Sequence, residues 1–221
     1  CVGFPELPLG WSYIRLGMLV DEPTYGTSAK CSYDSGEQSV LRIPNIADGV
    51  IDDTDLKFAT FEKGEINHLH LEVGDILTIR SNGSISLVGS CALVKEKDVR
   101  HIFAGYLIRL RPNRSLILPA FLLAVMSSHS LRKQIELAAK STSGVNNINT
   151  GELQNLIVPL PPLEEQAIIT KYLSERVSSI GSVEEELVTQ FSKANALRQS
   201  ILKKAFSGQL FSSKDREDLI T

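Results

Sequence analysis

Apolar and polar positions alternate at a two-residue period through most of the first 160 residues. The segments LHLEVGDILTIR (69–80), SISLVGSCALV (84–94) and FAGYLIRLRP (103–112) follow this period, and glycine, proline and asparagine interrupt it often. Alternation is typical of half-buried strands, and these interrupting residues form the turns between them. The pattern predicts a domain of residues 1–160 that is mostly β, with irregular loops and little helix.

A helical period appears once inside this region, in LPAFLLAVMSSHSLRKQIELAAK (118–140). Pro119 suits the first turn of a helix, where its missing N–H costs nothing. The apolar residues that follow fall on one side at helical spacing, and they are Phe121, Leu122, Val125, Leu131, Ile135 and Ala138. The segment predicts one helix that covers the core of the β domain.

The period changes again after Pro162, where apolar residues recur at steps of three and four over about 44 residues without a proline. This predicts one helix, roughly 66 Å long, with Gly208 as its end. A helix of this length buries little against a 160-residue domain, so we expect a second helix to cover its stripe; folding back on its own domain is the alternative. The predicted pairing seam consists of Leu173, Val177, Ile180, Leu187, Phe191, Ala194 and Ile201.

These patterns together predict an α+β protein, a mostly β domain with a few short helices followed by one long coiled-coil-forming helix. The predicted segments are 1–160 for the β domain, 161–209 for the helix and 210–221 for a C-terminal tail. The apolar content of 43% is enough for a buried core.

Targeting and cysteine patterns exclude several classes of protein. The longest apolar stretch, 116–126, is too short to span a bilayer, and no signal-peptide pattern opens the sequence. Cys1, Cys31 and Cys91 form neither a CxxC pair nor an even set for disulfides. We therefore expect a cytoplasmic protein without a membrane partner.

The charge distribution is uneven. The net charge of −3 argues against nucleic-acid binding, since such domains are usually basic. Residues 48–75, however, hold eight acidic and two basic side chains, whereas residues 80–140 hold ten basic and three acidic ones. Charge segregated along the chain can become a one-sided surface in the folded domain.

Few residues fit a catalytic pattern. His68 and His70 form an H-x-H pair, but no third ligand follows at a suitable spacing. Asp55 and Lys57 are half of a nuclease-type signature, and no phosphate-binding loop or nucleophile elbow is present. The sequence favours a binding protein with no catalytic residue and no metal site over a metal-dependent nuclease.

Two polar loops remain, IRSNGSIS (79–86) and KSTSGVNNIN (140–149), each built around a glycine. Arginine and asparagine read guanine and adenine edges, and short donors beside glycine suit close approach to phosphate. Turn formation is the alternative, since Asn, Gly and Ser also form turns. The predicted DNA-contacting residues are Arg80, Asn82, Ser84, Lys140, Ser141, Thr142, Asn146 and Asn147, with Lys30 and Arg42 as weaker candidates.

Several segments resemble one family. LPLGWSYIRLGMLV (7–20) is similar to the start of a target recognition domain, and LRIPNIADGVID (41–52) and LEVGDILTIRSNGSISLVG (71–89) resemble its central strands. NLIVPLPPLEEQAII (155–169) resembles the junction to a conserved spacer helix, and ALRQSILKKAFSGQL (196–210) resembles the end of that helix. The family is the specificity subunit of Type I restriction–modification enzymes.

The resemblance implies a non-catalytic subunit that reads double-stranded DNA. Family members hold two recognition domains on two long antiparallel helices, which dock methyltransferase subunits and, through the complex, the restriction subunit. S-adenosylmethionine, ATP and Mg²⁺ are implied for those partners, and no cofactor for this chain. With one domain and one helix, the chain is either half of a longer subunit or a half-subunit that pairs with itself. A coiled-coil scaffold that binds no DNA is the competing interpretation.

Overall fold

The computed structural model describes residues 4–47, 49–142 and 144–209, except for the side chains of 140–142. The chain divides into two compact units, Cys1–Thr170 and Lys171–Thr221. The first unit is rich in short strands, and the second consists of the greater part of one long helix. The predicted α+β class, a mostly β domain with short helices followed by a long helix, is confirmed.

Short strands dominate the first unit. The strands are β1 (Ser12–Arg15), β2 (Thr24–Tyr25), β3 (Gln38–Leu41), β4 (Ile46–Ala47), β5 (Val50–Ile51), β6 (Lys57–Ala59), β7 (Ile76–Ile79), β8 (Ser81–Asn82), β9 (Cys91–Leu93), β10 (Ile102–Phe103), β11 (Leu107–Leu110), β12 (Lys140–Thr142), β13 (Val145–Asn147) and β14 (Ile157–Leu160). The α-helices are α1 (Pro119–Met126), α2 (His129–Ala138), α3 (Thr150–Gln154) and α4 (Leu163–Phe206).

The strands form small sheets rather than one large one. The largest has the order β2-β11-β7-β9, and two others have the orders β10-β3-β6 and β12-β13-β8. β1 pairs with β14 and β4 with β5. Only β3 and β10 pair in parallel among these described strands.

The four-stranded sheet lies between two hydrophobic clusters. On β7, Ile76 belongs to one cluster and Leu77 to the other, and Leu107 and Ile108 on β11 divide in the same way. Successive side chains of a strand point to opposite faces, so each face of this sheet packs on its own core. Both faces of β7 are therefore buried, and its sequence ILTI is continuously apolar or neutral rather than alternating.

The structure corrects three predicted elements. The alternation at residues 84–94 predicted a strand, but a 3-10 turn occupies Ile85–Leu87 and the strand is limited to Cys91–Leu93. The alternation at residues 69–73 predicted a strand, but a 3-10 turn occupies Asn67–Leu69 and no strand is assigned to residues 70–75. The single helix predicted over 118–140 begins at Pro119 as expected but is interrupted after Met126. Ser128 starts a second helix there, because its hydroxyl accepts a hydrogen bond from the Leu131 N–H at 3.4 Å.

The long helix matches its prediction. α4 has 44 residues, continues through Gly181 and carries Glu164 and Glu165 in its first turn and two lysines in its last. Gly208, with φ of 71°, follows its end, and the Gly208 N–H bonds to the Ala205 carbonyl. Within the part of the chain that is described, no helix has both the length and the hydropathy required to cross a bilayer.

Candidate nucleic-acid interface

The two polar loops singled out in the sequence come together in one sheet. β12 and β13 form a hairpin through Gly144, and β13 pairs antiparallel with β8. Asn146 lies opposite Asn82, and Asn147 lies opposite Ser81. Loops more than 50 residues apart in the sequence thus form one polar surface, which we call the hairpin sheet, β12-β13-β8.

Hydrogen bonds at the hairpin sheet give Asn82 and Asn146 a role in holding its turns. The Asn146 amide donates to the Gly83 carbonyl at 3.0 Å, and the Asn82 side-chain oxygen accepts from the Ser84 N–H at 2.9 Å. The Ser84 hydroxyl lies 2.8 Å from that of Ser86. The turn-forming function considered in the sequence is therefore present, and DNA contact by the same residues stays a prediction.

Arg80 precedes β8 and is held by neutral groups. Its Nε donates to the Asn147 side-chain oxygen at 3.2 Å, and Nη1 approaches the Gly105 carbonyl at 3.4 Å. The guanidinium carbon lies 4.7 Å from the centroid of the Tyr25 ring, within the range of a cation–π contact. Its charge therefore lies beside the hairpin sheet on an aromatic support.

A pocket of about 410 Å³ opens at this point, lined by residues 25–29, 80–81 and 104–106. Gly26 allows its walls to meet, because a Cβ there would lie 2.3 Å from the carbonyl oxygens of Phe103 and Ala104. Backbone hydrogen bonds then join the walls, from Thr27 N to Phe103 O at 2.9 Å and from Gly105 N to Thr27 O at 2.7 Å. The pocket is open, is lined by both polar and apolar groups, and lies next to the hairpin sheet.

Sequence reasoning missed two tyrosines of this pocket. Tyr25 carries the Arg80 guanidinium, and Tyr106 is 62% exposed at the rim. Each stands beside a glycine, in TYG (24–26) and AGY (104–106). A tyrosine next to a glycine between short strands is the one local signal available, because it places an aromatic ring where the backbone approaches another segment.

The two weaker DNA candidates lie outside the hairpin sheet. Lys30 is exposed and follows Ala29 on the pocket wall. Arg42 forms an ion pair with Asp55 at 3.1 Å and lies 5.8 Å from the centroid of the Tyr33 ring. Arg42 therefore has partners within the domain, and its contact with DNA stays a prediction.

Three predicted residues, Lys140, Ser141 and Thr142, belong to β12 by their backbone. Their side chains lie outside the described part of the structure, so their contacts stay predictions.

The charge segregation seen along the sequence becomes internal pairing in part. Both oxygens of the buried Asp75 accept from Arg111 at 2.8 Å, and this ion pair raises the pKa of Arg111. Asp53 pairs with Lys97 at 3.2 Å and with Arg100 at 3.1 Å. Basic side chains of residues 80–140 thus neutralise some acidic side chains of residues 48–75. Fewer unpaired charges remain than if the two segments formed separate basic and acidic surfaces.

The residues of the nuclease alternative are not assembled. Asp55 pairs with Arg42, and the Lys57 ammonium lies 4.6 Å from the centroid of the Tyr33 ring. The carbonyl oxygens of His68 and His70 accept from Arg109. Across residues 4–47, 49–142 and 144–209, no group of three or more His, Cys, Asp or Glu side chains is placed to hold a metal ion.

Sequence comparisons match this chain to one family of proteins. A family model described as the Type I restriction modification DNA specificity domain matches residues 8–188. The chain is 32% identical over 193 residues to the Type I restriction enzyme EcoKI specificity subunit of Escherichia coli K12, covering 87% of this chain and 41% of that protein. It is 29% identical over 202 residues to the StySPI specificity subunit of Salmonella potsdam, covering 91% of this chain and 44% of that protein.

Solved structures give the same fold. A chain of a type I R-M system aligns with a TM-score of 0.72 and 25% identity, over 93% of this chain and 48% of that one. The HsdS subunit from Thermoanaerobacter tengcongensis aligns with a TM-score of 0.61 and 24% identity, over 93% and 47% of the two chains. This chain spans less than half the length of these relatives.

Proposed function

Because the chain belongs to the Type I restriction modification DNA specificity family, we propose that it reads one half of a bipartite site on double-stranded DNA and performs no catalysis itself. The observation that carries the proposal is the joining of the two polar loops in the hairpin sheet, next to the pocket that holds Arg80. Amide, hydroxyl and guanidinium groups on one surface are the donors and acceptors that base edges and phosphates require.

The long helix α4 supports the pairing of this chain with a second specificity half. The seven predicted seam residues are all exposed, with Leu187 at 63% and Phe191 at 70%. A helix with an exposed apolar stripe at heptad-like spacing is suited to pair with another helix. We propose that this partner helix comes from a second specificity half, on the same polypeptide or in a second copy of the chain.

The remaining partners follow from the proposed function. We propose that the chain docks a methyltransferase subunit and, through the complex, a restriction subunit. S-adenosylmethionine, ATP and Mg²⁺ would be bound by those subunits and none of them by this chain. In this proposal residues 1–160 read DNA, and residues 161–209 pair and set the distance between half-sites. The predicted C-terminal tail, residues 210–221, lies outside the described residues.

Salt-dependent DNA binding tests the proposal against the scaffold alternative. The full chain, purified with its cognate methyltransferase subunit, is titrated with labelled duplex DNA at a series of salt concentrations. We expect the logarithm of the affinity to fall linearly with the logarithm of salt concentration, because phosphate contacts release counterions. The methyltransferase subunit alone is the control. A complex that binds DNA no better than this control at any salt concentration would leave only the scaffold function.

A further inference from the structure

Arg80 is held in one orientation by two different kinds of contact. The Tyr25 ring supports the face of the guanidinium, and Asn147 on β13 accepts from its Nε. Tyr25 is itself positioned, since its hydroxyl accepts a hydrogen bond from the Thr150 N–H at 3.1 Å. A long side chain that ordinarily samples many rotamers is thus restricted before any ligand arrives.

Arg80 differs from several other arginines of the domain, because it has no carboxylate partner among the described residues. Arg42, Arg100 and Arg111 each pair with a carboxylate, whereas Arg80 forms no ion pair within the described residues. A guanidinium has five N–H donors, and the bonds to Asn147 and Gly105 occupy two of them. Its charge and its remaining donors are available to an acceptor from outside the chain.

We propose that Arg80 reads a guanine in the major groove, with Tyr25 and Asn147 as the residues that position it. This inference rests on the proposed function. Guanine presents O6 and N7 side by side, and a planar guanidinium matches this pair with two parallel hydrogen bonds.

Restriction of the plane favours a base edge over a phosphate. A base edge accepts two coplanar hydrogen bonds in one orientation, so fixing the guanidinium plane on Tyr25 adds discrimination between bases. A fixed guanidinium can also bind a phosphate with two parallel hydrogen bonds, but a phosphate contact carries no direct sequence information. Only at a guanine does fixing the plane on Tyr25 and Asn147 add discrimination between bases.

The test is selection of methylated or bound sequences from random duplex DNA by the chain in complex with its methyltransferase subunit. For Arg80→Ala, we expect the preference for guanine to fall by roughly 5- to 150-fold at one position of the site, with the other positions unchanged. Arg15→Ala is the matched control, because it removes an equal charge from an exposed arginine on β1. The Arg15→Ala complex should retain the preference for guanine at that position.

Variants of Tyr25 test its positioning role separately. Tyr25→Leu removes the ring and should relax the same guanine position, whereas Tyr25→Phe keeps the ring, loses only the bond to Thr150 and should retain more of the preference than Tyr25→Leu. In the Arg80→Ala background, Tyr25→Leu should add nothing to that relaxation. A purely structural tyrosine would instead lower affinity for every sequence equally.

A change on the DNA side tests the contact without altering the protein. Replacing that guanine by 7-deazaguanine removes the N7 acceptor, so the wild-type complex should bind more weakly while the Arg80→Ala complex should not respond. A wild-type site without any guanine would overturn the inference. So would a uniform loss of affinity in Arg80→Ala with a salt slope shallower by about 1, which is the result for a phosphate contact. A wild-type complex that selects no sequence would instead refute the proposed function.

Discussion

His101 is a buried residue whose protonation state depends on its neighbours. It is 1% exposed, its Nδ1 lies 2.6 Å from the Ser39 hydroxyl, and its Nε2 faces Nε of Arg100 at 3.4 Å. Burial first, and then the positive charge of Arg100, lower the pKa of His101 below 6.5, with a further contribution from Lys97. Asp53 and Asp98 oppose this shift with smaller effects.

Acid should therefore destabilise the fold through His101. Because its pKa is lowered in the folded state, the unfolded chain takes up a proton at a pH where the folded chain does not. The stabilisation is fully present above 6.5 and is lost as the pH falls below that value. We expect the melting temperature to fall from about pH 7.5 to about pH 5.5, with a shallower slope in His101→Gln. His129→Gln, at an exposed histidine, should keep the wild-type slope, and equal slopes in all three proteins would contradict this role.

Residue type alone did not reveal which charged side chains are available to a ligand. The sequence predicts DNA contact for Arg80 and, as a weaker candidate, for Arg42, and it does not show which groups either side chain contacts. In the structure Arg42 and Arg111 pair with carboxylates, and Arg80 stacks on a tyrosine. These partners come from residues far away in the sequence, so no local pattern could separate the three arginines.

At the scale of elements, the start of α4 is fixed by one buried side chain. Gln166 is fully buried, accepts from the Leu118 N–H at 2.8 Å and donates to the carbonyls of Leu116 and Pro161 at 3.0 and 2.9 Å. The Gln166 side chain therefore satisfies backbone groups in the segment just before α1 and in the segment just before α4. This gives a physical reason for a glutamine in the LPPLEEQ junction.

Removing this glutamine should destabilise the first unit. Gln166→Ala leaves three backbone groups without their partner, and we expect a loss of about 2–4 kcal/mol in the free energy of unfolding. Gln199→Ala, at an exposed position of the same helix, should change it by less than about 0.5 kcal/mol. Urea unfolding measures both variants. Equal stability of the two would show that the Gln166 bonds are not needed to order the junction.

The exposed stripe of α4 makes a prediction about self-association. Leu187→Asp places a charge in the seam, so we expect the purified chain to lose its self-association while the β domain unfolds at an unchanged temperature. Gln190→Asp adds the same charge at an exposed polar position and should associate as the wild type does. Light scattering after size exclusion gives the molar masses. A Leu187→Asp chain that still pairs like the wild type would place the seam elsewhere.

Local signals predicted some elements and not others. The bounds of α4 follow from Pro162, the apolar period and Gly208, all of which lie within or beside the helix itself. The break at Ser128 depends on a cap that competes with helix continuation, and the burial of both faces of β7 depends on two cores assembled from distant segments. The pairing of β8 with β13 is also non-local, so the sequence indicated two polar loops but not the single surface they form.

On the scale of the whole molecule, the chain corresponds to less than half of its relatives. A protein that recognises a bipartite DNA site would need two strand-rich units and two long helices. Paired helices would hold the two units at a fixed separation. Both units can contact the same face of the duplex when that separation is near a multiple of the DNA helical turn, about 34 Å. A paired chain should therefore recognise two DNA segments that are separated by a spacer of constant length.

Methylation of random DNA tests this directly. The chain, in complex with its cognate methyltransferase subunit and S-adenosylmethionine, is incubated with a random duplex library, and the methylated adenines are located by sequencing. We predict two short specified segments separated by an unspecified spacer of constant length. Methylation with no preferred sequence, or within a single uninterrupted motif, would contradict the account.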